Sequence, residues 1–234
     1  MESDDIKTAL REIADGVRSD MFKSYEAINL LQVIGMNAPD INDNGFGVFF
    51  GRFQLILQEH IILLLSKIFE APNRYHVKSI PAMIKFIEKH QQEFVKIEFK
   101  DETVLKLLEK LGYTTAQKDN TITEILCKYS LGKEMTRERI RTLRDKTSAH
   151  HEQVDVNALP DVSLSEIMEL LEGTKIFLSI IDSAYLDLSS VDYEARYFAN
   201  SESKTASLVL KNLLVKANII DVKKGREIAK TLSE

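Results

Sequence analysis

One segment of the chain, residues 137–151, concentrates side chains that could do chemistry. It reads Arg-Glu-Arg-Ile-Arg-Thr-Leu-Arg-Asp-Lys-Thr-Ser-Ala-His-His, so five cations and two histidines fall within fifteen residues of a chain whose net charge is −5. A guanidinium binds two phosphate oxygens at once, and an imidazole exchanges protons near neutral pH. These groups suit phosphoryl chemistry on RNA, in which a histidine activates the ribose 2′-hydroxyl and an arginine stabilises the developing charge without a metal.

Helical spacing places several of these side chains within about 40° of one line on an α-helix. The members of this line, spaced at i, i+4, i+7, i+11 and i+14, are Arg137, Arg141, Arg144, Ser148 and His151. On a regular helix His150 lies about 120° from Arg144, and it can join that arginine only where the helix bends or ends. Helical phase therefore favours His151 as the partner of Arg144.

The same residues also fit two interpretations without catalysis. In the first, a basic helix face pairs with acidic neighbours, and a histidine stabilises the helix C-terminus, where a cation is favourable. In the second, the line of arginines binds an acidic helix of another protein. The residues alone leave these interpretations open beside the catalytic one.

The elements that must position this segment are predicted to be helices. Apolar residues recur at three- and four-residue spacings, and nine glycines and four prolines are too few for an all-β sandwich or barrel. The predicted helices cover residues 5–34, 45–70, 79–94, 101–111, 121–150 and 164–186, with two shorter helices within residues 190–234. The sequence thus predicts an all-α fold, a bundle of long antiparallel helices with a short helical C-terminal extension.

Local signals refine this prediction. Residues 37–44, Asn-Ala-Pro-Asp-Ile-Asn-Asp-Asn, have the composition of a loop, and Ser163 with Glu166 forms a capping box before residues 164–186. Residues 45–70 are apolar on most sides, which predicts a central, buried helix. Glu59 lies within that helix and needs a polar partner when buried. It either supports the phosphate site from a second layer or interrupts a helix–helix or dimer contact.

Several classes of protein are disfavoured by composition. A single cysteine excludes a disulfide framework, and we find neither a glycine-rich phosphate loop nor histidines and carboxylates at metal-ligand spacing. The longest uninterrupted apolar run, Ile61–Leu65, is far shorter than the ~20 residues of a transmembrane helix. The acidic N-terminus does not resemble a secretory signal. We therefore expect a cytoplasmic protein with no cofactor, no metal and no membrane partner.

Residues 144–150, Arg-Asp-Lys-Thr-Ser-Ala-His, resemble the signature of the HEPN superfamily (higher eukaryotes and prokaryotes nucleotide-binding domains). In that signature an arginine and a polar residue precede a histidine, and the distances from Arg144 to His150 and to His151 both fit. The form Arg-Asp-Lys-x-x-Ala-His is closest to the AbiU-type abortive-infection branch. Residues 63–69 also resemble that branch's first core helix. The resemblance covers about residues 45–186.

The resemblance implies a bundle that dimerises and brings two copies of the motif into a shared cleft. Catalytic members are metal-independent endoribonucleases, often toxins or phage-defence effectors. Carried onto this chain, Arg144 would bind the scissile phosphate, and His150, favoured by the Ala-His pattern, would act on the 2′-hydroxyl or the leaving oxygen. Asp145 would orient a side chain. The candidate supporting residues are Asp145, His151, Lys146, Arg141 and Glu59.

The expected organisation has three parts. Residues 1–44 form an N-terminal helix that packs on the bundle, residues 45–188 form the HEPN-like bundle, and residues 189–234 form the C-terminal extension. The expected partners are RNA, a second copy of the chain, and an antitoxin or inhibitor protein. Since some HEPN proteins keep the fold without activity, the alternative is a non-catalytic module that binds RNA or protein.

Overall fold

A computed structural model describes residues 3–72, 77–90, 92, 134–146, 160–186 and 202–231. These residues form eight α-helices and no strand, which confirms the all-α prediction. The helices are α1 (Ser3–Met36), α2 (Ala38–Asp43), α3 (Gly47–Ile68), α4 (Ile80–Lys89), α5 (Glu134–Arg144), α6 (Leu164–Tyr185), α7 (Glu202–Lys216) and α8 (Val222–Thr231). The helix predicted over residues 101–111 lies outside the described residues.

The first helix, α1, is the longest described element and the centre of the packing. It contacts α2, α3, α4, α6 and α7 along its length. Four of its fully buried side chains follow at spacings of four, three and four residues, as a helix with one apolar face requires. They are Leu10, Ala14, Val17 and Met21. The domain boundaries after residues 44 and 188 stay predictions.

One short helix occupies a segment that composition alone predicts as a loop. The prediction of a loop over residues 37–44 is wrong, because α2 spans Ala38–Asp43 with Pro39 in its first turn. The side-chain amide of Asn37 donates to the carbonyl of Val33 at 2.6 Å, and Ile41 is buried. A single buried apolar side chain therefore anchors this helix of six residues within an otherwise polar segment.

The helix ends follow local capping chemistry. Ser79 caps α4 by accepting a hydrogen bond from the backbone N–H of Ala82 at 3.2 Å. The helix ends at Lys89, five residues before the predicted end. The capping box of Ser163 and Glu166 at the start of α6 is confirmed.

The C-terminal extension packs on the bundle. Its two helices, α7 and α8, confirm the predicted pair, and Asn218 in the turn between them has a left-handed φ of 56° that asparagine tolerates. The α7 helix packs against α1, and Lys224 of α8 forms an ion pair with Asp40 of α2. The extension is thus joined to the N-terminal part of the chain.

One face of α3 is exposed, so the prediction that this helix is buried on most sides is wrong. Its buried side chains, such as Leu57, Ile61 and Leu65, lie on the side that packs on α1 and α5. The other side leaves apolar side chains in solvent, Phe49 and Leu55 among them. By length and composition α3 is the one described helix that could cross a membrane, although core helices of soluble proteins have the same property. Average apolarity does not reveal which side of a helix its neighbours cover.

A buried ion pair joins α1 to α6. Nη2 of Arg18 donates to the carboxylate of Asp182, and the two side chains are 2% and 1% exposed. Nη1 of Arg18 donates to Asp15 at 2.6 Å. Burial raises the pKa of Asp182, and the Arg18 charge opposes that rise. Because removal of one partner leaves the other charge in a desolvated site, such a pair is far more costly to break than to replace entirely.

We therefore expect Asp182→Leu to lower the free energy of unfolding by about 3–5 kcal/mol, since it leaves the Arg18 guanidinium buried without that carboxylate. The double variant Arg18→Met with Asp182→Leu recovers most of the loss. Urea unfolding at neutral pH measures both. A single variant within about 1 kcal/mol of the wild type would contradict this interpretation.

Candidate functional site

The described part of the candidate site lies on α5. Its regular α-helical turns end at Arg144, and Asp145 and Lys146 continue in a wider, π-type turn. His150 and His151 lie outside the described residues, as does Ser148. The preference of helical phase for His151 therefore stays a prediction.

Asp145 holds the guanidinium of Arg144. Nε and Nη2 of Arg144 donate to Oδ1 of Asp145 at 2.8 and 2.6 Å. The second carboxylate oxygen lies 3.9 Å from Nε of Arg141. Among the residues that the structure describes, no acceptor binds Nη1 of Arg144. A carboxylate thus orients one edge of this half-buried guanidinium, and no described residue occupies the other edge.

Arg139 links α5 to the first turn of α6. Its Nη1 donates to the backbone carbonyl of Asp161 at 2.7 Å, and its Nη2 donates to Oε1 of Glu166. The other oxygen of Glu166 accepts from the backbone N–H and the hydroxyl of Ser163, both at 2.9 Å. We call these contacts the Arg139–Glu166 link. They join the two helices that flank residues 147–159, the segment with both histidines, and sequence reasoning predicted only the capping box.

Arg137 packs against the end of α3. Its guanidinium carbon lies 5.5 Å from the centroid of the Phe69 ring, a cation–π distance. Burial lowers the pKa of Arg137, and its Nε has no hydrogen-bond partner among the described residues. The predicted line of arginines is therefore divided: Arg137 fastens α5 to α3, while Arg141 is exposed and Arg144 is half-buried at the helix end.

Two other candidate supporting residues are exposed. Lys146 follows Asp145 with its side chain in solvent, and Glu59 lies on the exposed side of α3. The side of α3 that carries Glu59 faces away from α1 and α5, so Glu59 does not interrupt the contacts of α3 with those two helices. No hydrogen bond or ion pair between described residues joins Glu59 to Arg144. Its supporting role stays a prediction.

Hydrogen bonds make Glu166 unusually acidic. The pKa of its carboxyl falls from 4.5 to about 2, first because of the backbone N–H of Ser163 and then because of the Arg139 side chain.

Within the described ranges, no three histidines, cysteines or carboxylates come together as a metal site. The charges that the structure does place here are thus a row of guanidiniums and two carboxylates that orient them.

Comparison with known families adds an independent observation. A family model for the HEPN AbiU2 group, described as AbiU2, matches residues 7–205 of the chain. The match includes most of α1 and all of α2 to α6, a longer stretch than the residues 45–186 that carry the resemblance in sequence. Neither the comparison with curated proteins nor the comparison with solved structures found a match.

The Arg139–Glu166 link predicts a difference between neighbouring arginines. We expect Arg139→Ala to lower the thermal midpoint by about 2–4 °C, the effect of about one net hydrogen bond in a chain of this length. The matched control, Arg141→Ala, removes an exposed side chain and leaves the midpoint close to that of the wild type. Differential scanning calorimetry measures both, and equal midpoints would argue against the link.

The same link predicts a pH effect. Because the folded-state pKa of Glu166 is lowered from 4.5 to about 2, its contribution to stability is complete above pH 4.5 and is lost as pH falls through about 2. The carboxyl carbon of Glu166, followed by NMR on acidification, should still report the ionised form below pH 4.5. Arg139→Ala should move the midpoint upward. A titration midpoint near 4.5 for Glu166 in the wild type would contradict this prediction.

Proposed function

The chain belongs to the AbiU2 family of HEPN proteins, an abortive-infection and phage-defence group, and from that premise we propose that it is a metal-independent endoribonuclease. The observation that carries the proposal is the state of Arg144. A carboxylate orients this half-buried guanidinium at the end of a regular helix, directly before the segment that contains His150 and His151.

Arg144 supplies the phosphate-binding group. Planar donors on a guanidinium match the non-bridging oxygens of a phosphodiester, and they remain charged at every physiological pH. With Nε and one edge held by Asp145, the remaining donors bind the scissile phosphate in one orientation. As negative charge builds on the oxygens of the pentacovalent phosphorus, the attraction to Arg144 strengthens.

A histidine supplies the proton transfers. In the proposed reaction His150 takes the proton of the 2′-hydroxyl, the 2′-oxygen attacks phosphorus, and the bond to the 5′-oxygen breaks. The protonated His150, or His151 as a separate acid, gives a proton to that leaving oxygen, so the products carry a 2′,3′-cyclic phosphate and a 5′-hydroxyl. His151 is the other candidate for either transfer. The reaction needs no metal or cofactor.

The exposed cations next to Arg144 extend the proposed contact with RNA. Arg141 and Lys146 lie one turn before it and two residues after it, with side chains in solvent. Their charges attract the neighbouring phosphates, so binding weakens as salt rises. We further propose that the protein acts in the cytoplasm without membrane attachment. In this proposal two chains pair and bring their two motifs into one cleft. An antitoxin or inhibitor protein restrains the activity.

The ion pair of Arg144 with Asp145 also favours a second candidate function. In a non-catalytic HEPN module that binds RNA or protein, the carboxylate would neutralise the arginine instead of orienting it. The two functions predict opposite effects of Asp145→Asn. Loss of an orienting group slows cleavage, whereas loss of a neutralising group strengthens RNA binding with no cleavage.

The proposed nuclease is tested by incubating the purified chain with a mixed RNA pool in the presence of EDTA. We expect products with 2′,3′-cyclic phosphate ends. Arg144→Ala and one of His150→Ala and His151→Ala should reduce cleavage at least about 100-fold, because each removes a group that acts in the transition state. The sensitive histidine variant identifies the catalytic histidine.

The matched control is Arg226→Ala, which removes an exposed cation from α8 and should leave cleavage unchanged. Circular dichroism of each variant confirms that it is folded. A folded wild type that binds the pool without cleaving it, and binds it more tightly as Asp145→Asn, would favour the non-catalytic module. Cleavage that persists in Arg144→Ala would overturn the assigned role of that residue.

A further inference from the structure

The exposed side of α3 carries apolar side chains with two opposite charges among them. Six of its side chains lie within about 50° of one line along the helix. These six residues, here called the α3 face, are Val48, Arg52, Leu55, Ile56, Glu59 and Leu63. Val48 is 77% exposed, and Leu55 and Ile56 are each 60% exposed. Single exposed apolar residues are ordinary, but several of them along one side of a helix indicate an interaction surface.

The two charges are placed as a self-complementary pair. Arg52 and Glu59 are seven residues apart, about 10.5 Å along the axis, so they do not reach each other within one helix. Neither forms an ion pair with any other described residue. Both side chains are exposed, so each can meet a partner that presents the opposite charge at the same spacing.

We propose that the α3 face binds the α3 face of a second copy of the chain, with the two helices antiparallel around a two-fold axis. In a two-fold contact, the same surface serves both subunits, so each pair of residues occurs twice. With the axis between Leu55 and Ile56, Arg52 lies opposite Glu59 of the partner subunit. Val48 then lies opposite Leu63 of the partner subunit.

This register follows from the sequence of the face itself. Each residue of one helix lies opposite the residue of the partner helix that is equally far from the two-fold axis on the other side. Two ion pairs therefore flank the apolar centre of the contact, and apolar contacts form at both ends. A parallel arrangement would instead place Arg52 against the same residue of the other chain, and like charges in contact are unfavourable. The charges thus select the antiparallel arrangement, as complementary charges select orientation in paired helices.

A protein surface suits this face better than a bilayer does. Although α3 has the length and composition of a membrane span, Arg52 and Glu59 lie within the apolar row rather than at its ends. Charged side chains are expensive within the hydrocarbon region of a membrane. Opposite a second copy, both charges gain a partner.

This pairing names the surface that joins the two chains of the proposed nuclease. It rests on the proposed function only in that both require two chains. The α5 helix packs against α3, and Arg137 of α5 contacts Phe69 at the end of α3. An α3 pair therefore joins the two α5 helices, each ending at its own Arg144, in one particle. Whether that particle cleaves RNA is a separate measurement.

The test is sedimentation equilibrium of the full chain. We expect the wild type to dimerise, and Arg52→Glu or Glu59→Arg to raise the dimer dissociation constant at least about tenfold, because two attractions become two repulsions. The double variant Arg52→Glu with Glu59→Arg exchanges the charges, and it should restore a dissociation constant near that of the wild type. Gln58→Glu changes an exposed residue on another side of α3 and is the matched control.

Three results would overturn the pairing. The first is a monomeric wild type; if it still cleaves RNA, the nuclease stands and the pairing fails. The second is a dimer that is indifferent to both single charge reversals, which assigns the dimer contact to another surface. The third is a monomer that floats with vesicles of neutral and anionic phospholipid and loses this binding in Leu55→Glu, which assigns the face to a membrane. Circular dichroism shows whether each variant is folded.

Discussion

The carboxylate of Glu166 is the point on which the position of the candidate site depends. It accepts hydrogen bonds from the backbone and side chain of Ser163, which complete the first turn of α6, and from Arg139, which belongs to α5. Because the capping bonds already fix this carboxylate, Arg139 meets an acceptor that needs little further ordering. The last turn of α5, where Arg144 lies five residues later, is thereby placed relative to the start of α6.

Neighbouring arginines on one short helix have different physical roles. Arg137 is partly desolvated against an aromatic ring, and Arg139 is bound to a carboxylate and a carbonyl of α6. Both hold α5 to other helices, so neither guanidinium is presented to a ligand in the way that the exposed Arg141 is. Arg144 lies between these cases, because one carboxylate orients it while its Nη1 has no acceptor within the described part of the chain. Residue type alone therefore does not identify a binding arginine; its neighbours do.

The sequence predicts those features of the fold that arise from contacts close along the chain. Apolar periodicity predicts α1, α3 and α6 with bounds within two residues, and the spacing of Ser163 and Glu166 predicts a cap that forms within one turn. The helix α2, anchored by the buried Ile41, packs against α1 and α3, and the composition of residues 37–44 does not indicate that packing. The ion pair of Arg18 with Asp182 joins positions 164 residues apart, and no local pattern indicates it.

In the candidate site, too, the features that the sequence predicts are local along the chain, and those that it does not predict join distant positions. The residue types in the motif and their order are local, so they can be read directly, and the contact of Arg144 with Asp145 joins adjacent residues. The contacts of Arg139 with Asp161 and Glu166 span 22 and 27 residues. They exist only once α5 and α6 have packed, so the sequence could count Arg139 among five neighbouring cations but could not assign its role.

The composition of α3 has a physical explanation if the helix has two apolar sides with different uses. One side is covered by α1 and α5, and the other is exposed in the single chain. A helix buried only within its own chain needs one apolar side, and a membrane span has no use for opposite charges in the middle of its lipid-facing side. Two apolar sides, with Arg52 and Glu59 spaced for reciprocal contact on the second, match a helix that packs within its chain and pairs with a copy of itself. The helix that supports α5 would then also be the helix that joins two chains, so the geometry of the site and the assembly of the particle would depend on one element.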